Sequence, residues 1–230
     1  MSEDMRSQLQ KMVIFLHFSQ MDFPTEICFV IFSVITLAII YAGVRNGIER
    51  VSKFMMPILV VLSVIIAIYS VTRPGAIEGV KYFLVPNFKN FSWMTVVSAM
   101  GQMFYSLSIA MGILVTFGSY MKKDTSIEKS TENVEIFDTA IAIMAGLMII
   151  PAVFAFSGGN AETLKSGPAL MFITIPKVFA NMGFGTAIGI VFFLLVLFAA
   201  VTSSIALTES AVSTFEDELY WGRKKSTIVM

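Results

Sequence analysis

The segment Trp93 to Tyr120, WMTVVSAMGQMFYSLSIAMGILVTFGSY, is apolar over more length than a membrane crossing requires. At about 1.5 Å per residue, an unbroken helix over it would reach roughly 40 Å, against a hydrocarbon core of about 30 Å. The excess leaves room for an interruption. Its place is Ser106 to Gly112, SLSIAMG, where two serines, Ala110 and Gly112 cluster and where glycine can take backbone angles foreign to a helix interior. Amides and carbonyls bared at that depth cost several kcal/mol each unless they meet a ligand or a water-lined cavity. A broken span would therefore imply something bound at the break. The same small residues also serve the close approach of a neighbouring helix, and the segment alone leaves both readings open.

The rest of the chain has the same character. Hydrophobic residues make up 56 % of it, with 21 Phe and 16 Met, and the mean hydropathy is +0.79. These values exclude an ordinary soluble domain and identify an all-α polytopic membrane protein. The 16 basic and 16 acidic residues cancel and fall between the apolar runs, so no basic surface points to nucleic acid. With a single cysteine, Cys28, and a single histidine, His17, neither an internal disulfide nor a His/Cys metal centre is expected. The first residues show no signal-peptide pattern.

Five membrane spans are expected, at 26–44, 54–71, 93–120, 126–156 and 183–214. Residues 1–25 form a connecting segment, and Ala76 to Ser92 is amphipathic and then irregular, with Pro86, Asn87 and Asn90 reading as loop. Pro57 falls near the start of the second span, where a missing N–H matters least. Thr125 with Glu128 fits a capping box that starts the fourth span near Ser126. The continuously apolar run begins only at Ala140, which would put Asp138 near an interface, whereas a start near Ser126 carries it about 18 Å along its helix, towards the middle of the bilayer. The long connection 157–182 contains a short helix over Leu170 to Phe179, and 215–230 is a charged tail. Basic residues Arg45, Arg50, Lys53, Lys122, Lys123, Lys129, Arg223, Lys224 and Lys225 follow the odd-numbered spans, so those loops are expected to be cytoplasmic and residues 1–25 and 157–182 extracellular.

GIERVSKFMMP at 47–57, GQMFYSLSIAMG at 101–112, DTAIAIMAGLMIIPAVFAF at 138–156, GPALMFITIP at 167–176 and FAAVTSSIALTE at 198–209 together resemble the neurotransmitter:sodium symporter family. The resemblance covers about Glu26 to Tyr220 and corresponds to transmembrane helices four to eight of the leucine-transporter fold. In that fold, substrate and sodium sit at broken helices near the midplane. The implied function is sodium-coupled import of an amino acid or related small zwitterion by alternating access, in the plasma or inner membrane.

Residue by residue, the resemblance makes Tyr105 the aromatic lid over the substrate and Ser106 a hydroxyl ligand of a first sodium. Ser108 lies close to both, and Met111 lines the pocket. Ala110 replaces the first glycine of the family's Gly-x-Gly, which would narrow the pocket. Asp138 stands where many relatives place an Asn ligand of the first sodium, and Ala142 where chloride-dependent relatives have a Ser. A carboxylate at 138 would supply the negative charge that others take from chloride, so chloride independence is expected.

Ala199, Thr202 and Ser203 match a second sodium site. A carbonyl at i and hydroxyls at i+3 and i+4 share one helix face, and neutral oxygens suit a monovalent ion. Such hydroxyls also bond back to their own helix. Glu209, two turns along the same face, is expected to have a structural hydrogen-bonding role. The family's first and third helices, which complete these sites, have no counterpart here. The expected partners are therefore the amino acid, sodium, the bilayer and the missing helices, and the chain alone is expected to be a non-transporting fragment. An assembly or regulatory membrane fragment is the competing reading, and an enzyme would need a cluster of His, Glu or Asp at one depth.

Overall fold

Residues 22–86, 91–109, 111–158, 170–181 and 183–230 are described by a computed structural model, with side chains from Thr25 onward. Among them the chain forms helices and no strand. Residues 1–21, expected to form most of the first connecting segment, and residues 159–169 and 182 of the 157–182 connection lie outside the described residues.

Helix α1, Asp22–Tyr41, ends at Gly43, whose φ of 92° turns the chain into a π-helical stretch, Val44–Glu49. That stretch runs directly into α2, Arg50–Val71. The loop expected between the first two spans, at 45–53, is therefore helical, and Val44–Val71 forms one apolar helix long enough to cross a membrane. Pro57 consequently lies two turns inside α2, not at its start. A membrane helix tolerates this where neighbouring groups satisfy the freed carbonyl.

After the left-handed Gly75, helix α3, Ala76–Leu84, folds back onto the fourth expected span. Helices α4, Trp93–Ser106, and α5, Ile113–Ser119, divide the third. The fourth is α6, Ile127–Ser157, whose N-cap is Ser126: its Oγ accepts from the Lys129 amide at 3.3 Å. The start of the helix is as expected, but the cap is the Ser126 hydroxyl alone, one residue past the expected Thr125, because it reaches the third amide of the helix itself.

A π-helical turn at Leu170–Thr174 leads into α7, Ile175–Ala180, and α8, Gly185–Leu219, is the longest helix. It ends at Tyr220, with φ of 52°, before the short α9, Arg223–Val229. Like Val44–Val71, α6 and α8 are long and apolar enough to cross a membrane.

Two apolar cores hold these helices. Leu59 and Ile66 of α2 meet Met148, Ala152 and Val153 of α6, Ile175, Val178 and Phe179 of α7, and Phe192 and Leu195 of α8. The other joins Ile40 of α1, Ile48 and Met55 to Val201, Ile205 and Val212 of α8. Helix α3 sits close on α6 because Gly79 carries no side chain. A Cβ there would stand 2.8 Å from the Cα of Pro151. Phe83 fills the space a side chain at Gly146 would need, and the Tyr82 and Phe154 rings lie 5.1 Å apart. Helix α4, by contrast, has no buried residue.

Candidate functional site

The helical ladder fails between Ser106 and Ile113. Helix α4 is fixed at its start by a capping box between Ser92 and Thr95, and its last regular bond runs from the Leu107 amide to the Met103 carbonyl at 2.9 Å. The next amides reach irregularly, Ser108 to Tyr105 at 3.1 Å and Ile109 to Phe104 at 3.2 Å. Ser108 has φ of 56°, a left-handed angle that costs a non-glycine residue roughly 1–2 kcal/mol. Gly112, at φ of 72°, accepts from the Thr116 amide at 3.0 Å and starts α5. Two left-handed residues four apart thus break the span and change the course of the chain. Ala110, between them, lies outside the described residues.

On the α4 side, the Ser106 hydroxyl donates to Asp138 Oδ1 at 2.6 Å. That length belongs to a charge-assisted O–H···O⁻ bond. The pair joins the last residue of α4 to the twelfth of α6, and Asp138 is half-buried while Ser106 is exposed. One carboxylate and one hydroxyl form a hard donor set, and among the described residues no three His, Cys, Asp or Glu side chains converge as a metal centre would need. Around the break, Ser108 and Met111 are half-buried, and Tyr105 is 67 % exposed at the end of α4.

On α8, the Thr202 hydroxyl donates to the Ala199 carbonyl at 3.0 Å and the Phe198 carbonyl at 3.1 Å. Ala199 O and Thr202 Oγ1 are therefore adjacent, with the hydroxyl turned back on its own helix. Ser203, the next residue, is exposed. One position further, Ser204 Oγ lies 3.3 Å from Thr36 Oγ1 of α1.

Glu209 of α8 is fully buried and accepts three side-chain hydrogen bonds. Arg223 Nη1 donates to Oε1 at 3.0 Å and Nη2 to Oε2 at 2.7 Å, and the Tyr120 hydroxyl donates to Oε1 at 2.7 Å. Arg223 Nε also donates to the Ile40 carbonyl at 3.0 Å, so the guanidinium ties the end of α1 and the Glu209 side chain of α8 to the start of α9. Burial acts to lower the Arg223 pKa, but its hydrogen bonds to Glu209 and the charge of that carboxylate outweigh burial and raise it. The sequence singled out Glu209 but placed Arg223 only in a charged tail. The available signal was that a carboxylate on an apolar helix needs a cation, and the nearest one in sequence follows the Tyr220–Gly222 turn. Ser210 was also missed: its hydroxyl donates to the Met111 carbonyl at 3.3 Å.

Residues 8–230 match the model of the Sodium:neurotransmitter symporter family. An uncharacterized sodium-dependent transporter of Bacillus subtilis (strain 168) is 37 % identical over 208 residues, which is 90 % of this chain and 45 % of that protein. The sodium- and chloride-dependent glycine transporter 2 of Xenopus laevis is 30 % identical over 207 residues, 86 % of this chain and 26 % of that protein. The crystal structure of MhsT in complex with L-phenylalanine superposes with a TM-score of 0.72 at 38 % identity, covering 87 % of this chain and 45 % of MhsT. The chain thus spans less than half the length of these relatives. Because the family match extends over nearly the whole chain and the fold is shared with MhsT, this chain belongs to the sodium:neurotransmitter symporter family, whose members are membrane transporters and not enzymes.

Proposed function

We propose that this chain forms part of a sodium-coupled symporter that carries an amino acid or related small zwitterion across the membrane by alternating access. The observation that carries the proposal is the 2.6 Å bond from Ser106 to Asp138, which places a hydroxyl and a carboxylate together at the edge of the helix break. Both are hard oxygen donors of the kind a sodium ion takes. Ser106 and Asp138 would contribute to a first sodium site, and the Ala199 carbonyl with Thr202 and Ser203 to a second. For Thr202 to bind an ion, its hydroxyl proton must stay on the Phe198 or Ala199 carbonyl while a lone pair faces the ion. Tyr105, Ser108, Ala110 and Met111 would line the amino-acid pocket, which the relation to a protein solved with L-phenylalanine supports.

The proposal includes chloride independence. A carboxylate at mid-membrane depth costs about 3 kcal/mol on insertion scales. A cation about 4 Å away returns something of order 4 kcal/mol at an effective dielectric of 20. Asp138 then neutralises the ion without a mobile anion. Each ion set on this chain is partial, so the chain by itself is proposed not to transport.

The test is sodium-dependent binding of radiolabelled L-phenylalanine to the purified chain in lipid nanodiscs, with chloride replaced by gluconate. Binding that needs sodium and persists in gluconate supports the reading. Binding indifferent to sodium contradicts the symporter assignment, and binding lost without chloride contradicts the role given to Asp138. Sodium-driven accumulation by the chain alone in liposomes would contradict its proposed incompleteness.

A further inference from the structure

We propose that Ser210 is a positioning residue for the amino-acid pocket, holding the Met111 carbonyl and the start of α5 against α8. The inference rests on the pocket assignment above. Breaking a helix leaves carbonyls without intrahelical donors, and such a group needs a partner from elsewhere. For Met111 the partner is the Ser210 hydroxyl, 99 positions later in the chain, at 3.3 Å.

The proton inventory is consistent. Ser210 gives its single proton to Met111 O and keeps lone pairs free, and the Thr116 hydroxyl donates into one of them at 3.5 Å. Thr116 is the buried residue of α5. Gly112 fits the same arrangement, since a Cβ added there would stand 2.9 Å from Ser210 Oγ. The residue just before Ser210 is Glu209, which accepts from Tyr120 beyond the far end of α5. Two consecutive residues of α8 therefore hold α5 at both ends.

Helix α4 is secured differently, by Ser106 on Asp138 of α6. The two halves of the broken span thus answer to different helices. The separation between Tyr105 and Ser108 on one side and Met111 on the other depends on how firmly Ser210 grips the Met111 peptide.

The experiment compares Ser210→Ala and Ser210→Thr in the full 230-residue chain in nanodiscs, by amide hydrogen exchange and by binding of L-phenylalanine in sodium. In Ser210→Ala, exchange over 109–116 is expected to quicken about fivefold, the worth of one neutral hydrogen bond, while α6 is unchanged. Ser210→Thr, which keeps the hydroxyl, is expected to restore the parental rate. L-phenylalanine affinity is expected to fall by a similar factor in Ser210→Ala, with the sodium concentration for half-saturation unaltered. Unchanged exchange over 109–116, or a threonine variant that behaves like alanine, would overturn the anchor. An affinity that does not fall, or that falls together with sodium half-saturation, would overturn the positioning role. If the parent chain binds no L-phenylalanine, the functional reading fails, and hydrogen exchange still decides the anchor.

Discussion

Arg223 meets Glu209 through two parallel hydrogen bonds, at 3.0 and 2.7 Å, in a site where the carboxylate has no exposed surface. Removing one partner of such a pair strands the other charge, at about 3–5 kcal/mol. The Arg223 side chain keeps 21 % of its exposure, so the lower end of that range applies. Arg223→Ala should therefore lower the melting temperature of the detergent-solubilised chain markedly. Glu209→Gln combined with Arg223→Met should cost less than Arg223→Ala alone, because no buried charge is left unpaired. Equal melting temperatures for the parent and Arg223→Ala would show that the pair does not hold α9 in place.

Gly79 allows α3 to lie on the backbone of α6. Gly79→Ala puts a methyl 2.8 Å from the Pro151 Cα and 3.0 Å from the Phe154 Cβ, atoms that cannot turn aside. Overpacking of this kind typically costs about 1–3 kcal/mol. Gly101, inside α4, has nothing within 4 Å of an added Cβ, so Gly101→Ala should leave the melting temperature unchanged or raise it. The reverse order of effects would contradict the packing of α3 on α6.

At Gly112 two penalties coincide, a φ of 72° and the approach to Ser210 Oγ. Gly112→Ala should cost about 1–2 kcal/mol from the backbone angle alone, with the contact adding to it. Ser210→Gly removes the hydroxyl, and with it both the contact and the bond to the Met111 carbonyl, while leaving the penalty of the backbone angle. The two changes should therefore be non-additive in thermal melting, which a double-mutant cycle measures. Strict additivity would mean that the residues do not touch.

Room for a break was legible in the length of an apolar run too long for one crossing, with Ser108 and Gly112 in its middle, but the segment alone left close helix packing also open, and the break was read only with the family resemblance. Its angular detail was not legible, since a serine at φ 56° is fixed by what surrounds it and not by its own preference. The helical stretch Val44–Glu49 was hidden behind Arg45, Asn46 and Glu49, whose polarity reads as a turn while their backbone joins α2. Asp138 could be followed to a helix interior from the start near Ser126 and was linked to Ser106 only through a family resemblance. The bond between those two, like that between Glu209 and Arg223, joins helices whose relative placement no local pattern encodes. Ser210 escaped notice because a serine on an apolar helix ordinarily bonds to its own backbone.

The central claim, that Ser106 and Asp138 hold a sodium ion without help from chloride, is tested most directly by binding of radioactive sodium to the purified chain in chloride-free nanodiscs. Parent, Asp138→Asn and Asp138→Ala would be compared. The account predicts saturable binding that potassium does not displace, weakened by Asp138→Asn and abolished at the first site by Asp138→Ala, with the fold intact by circular dichroism. Sodium binding of equal strength in all three proteins would contradict it.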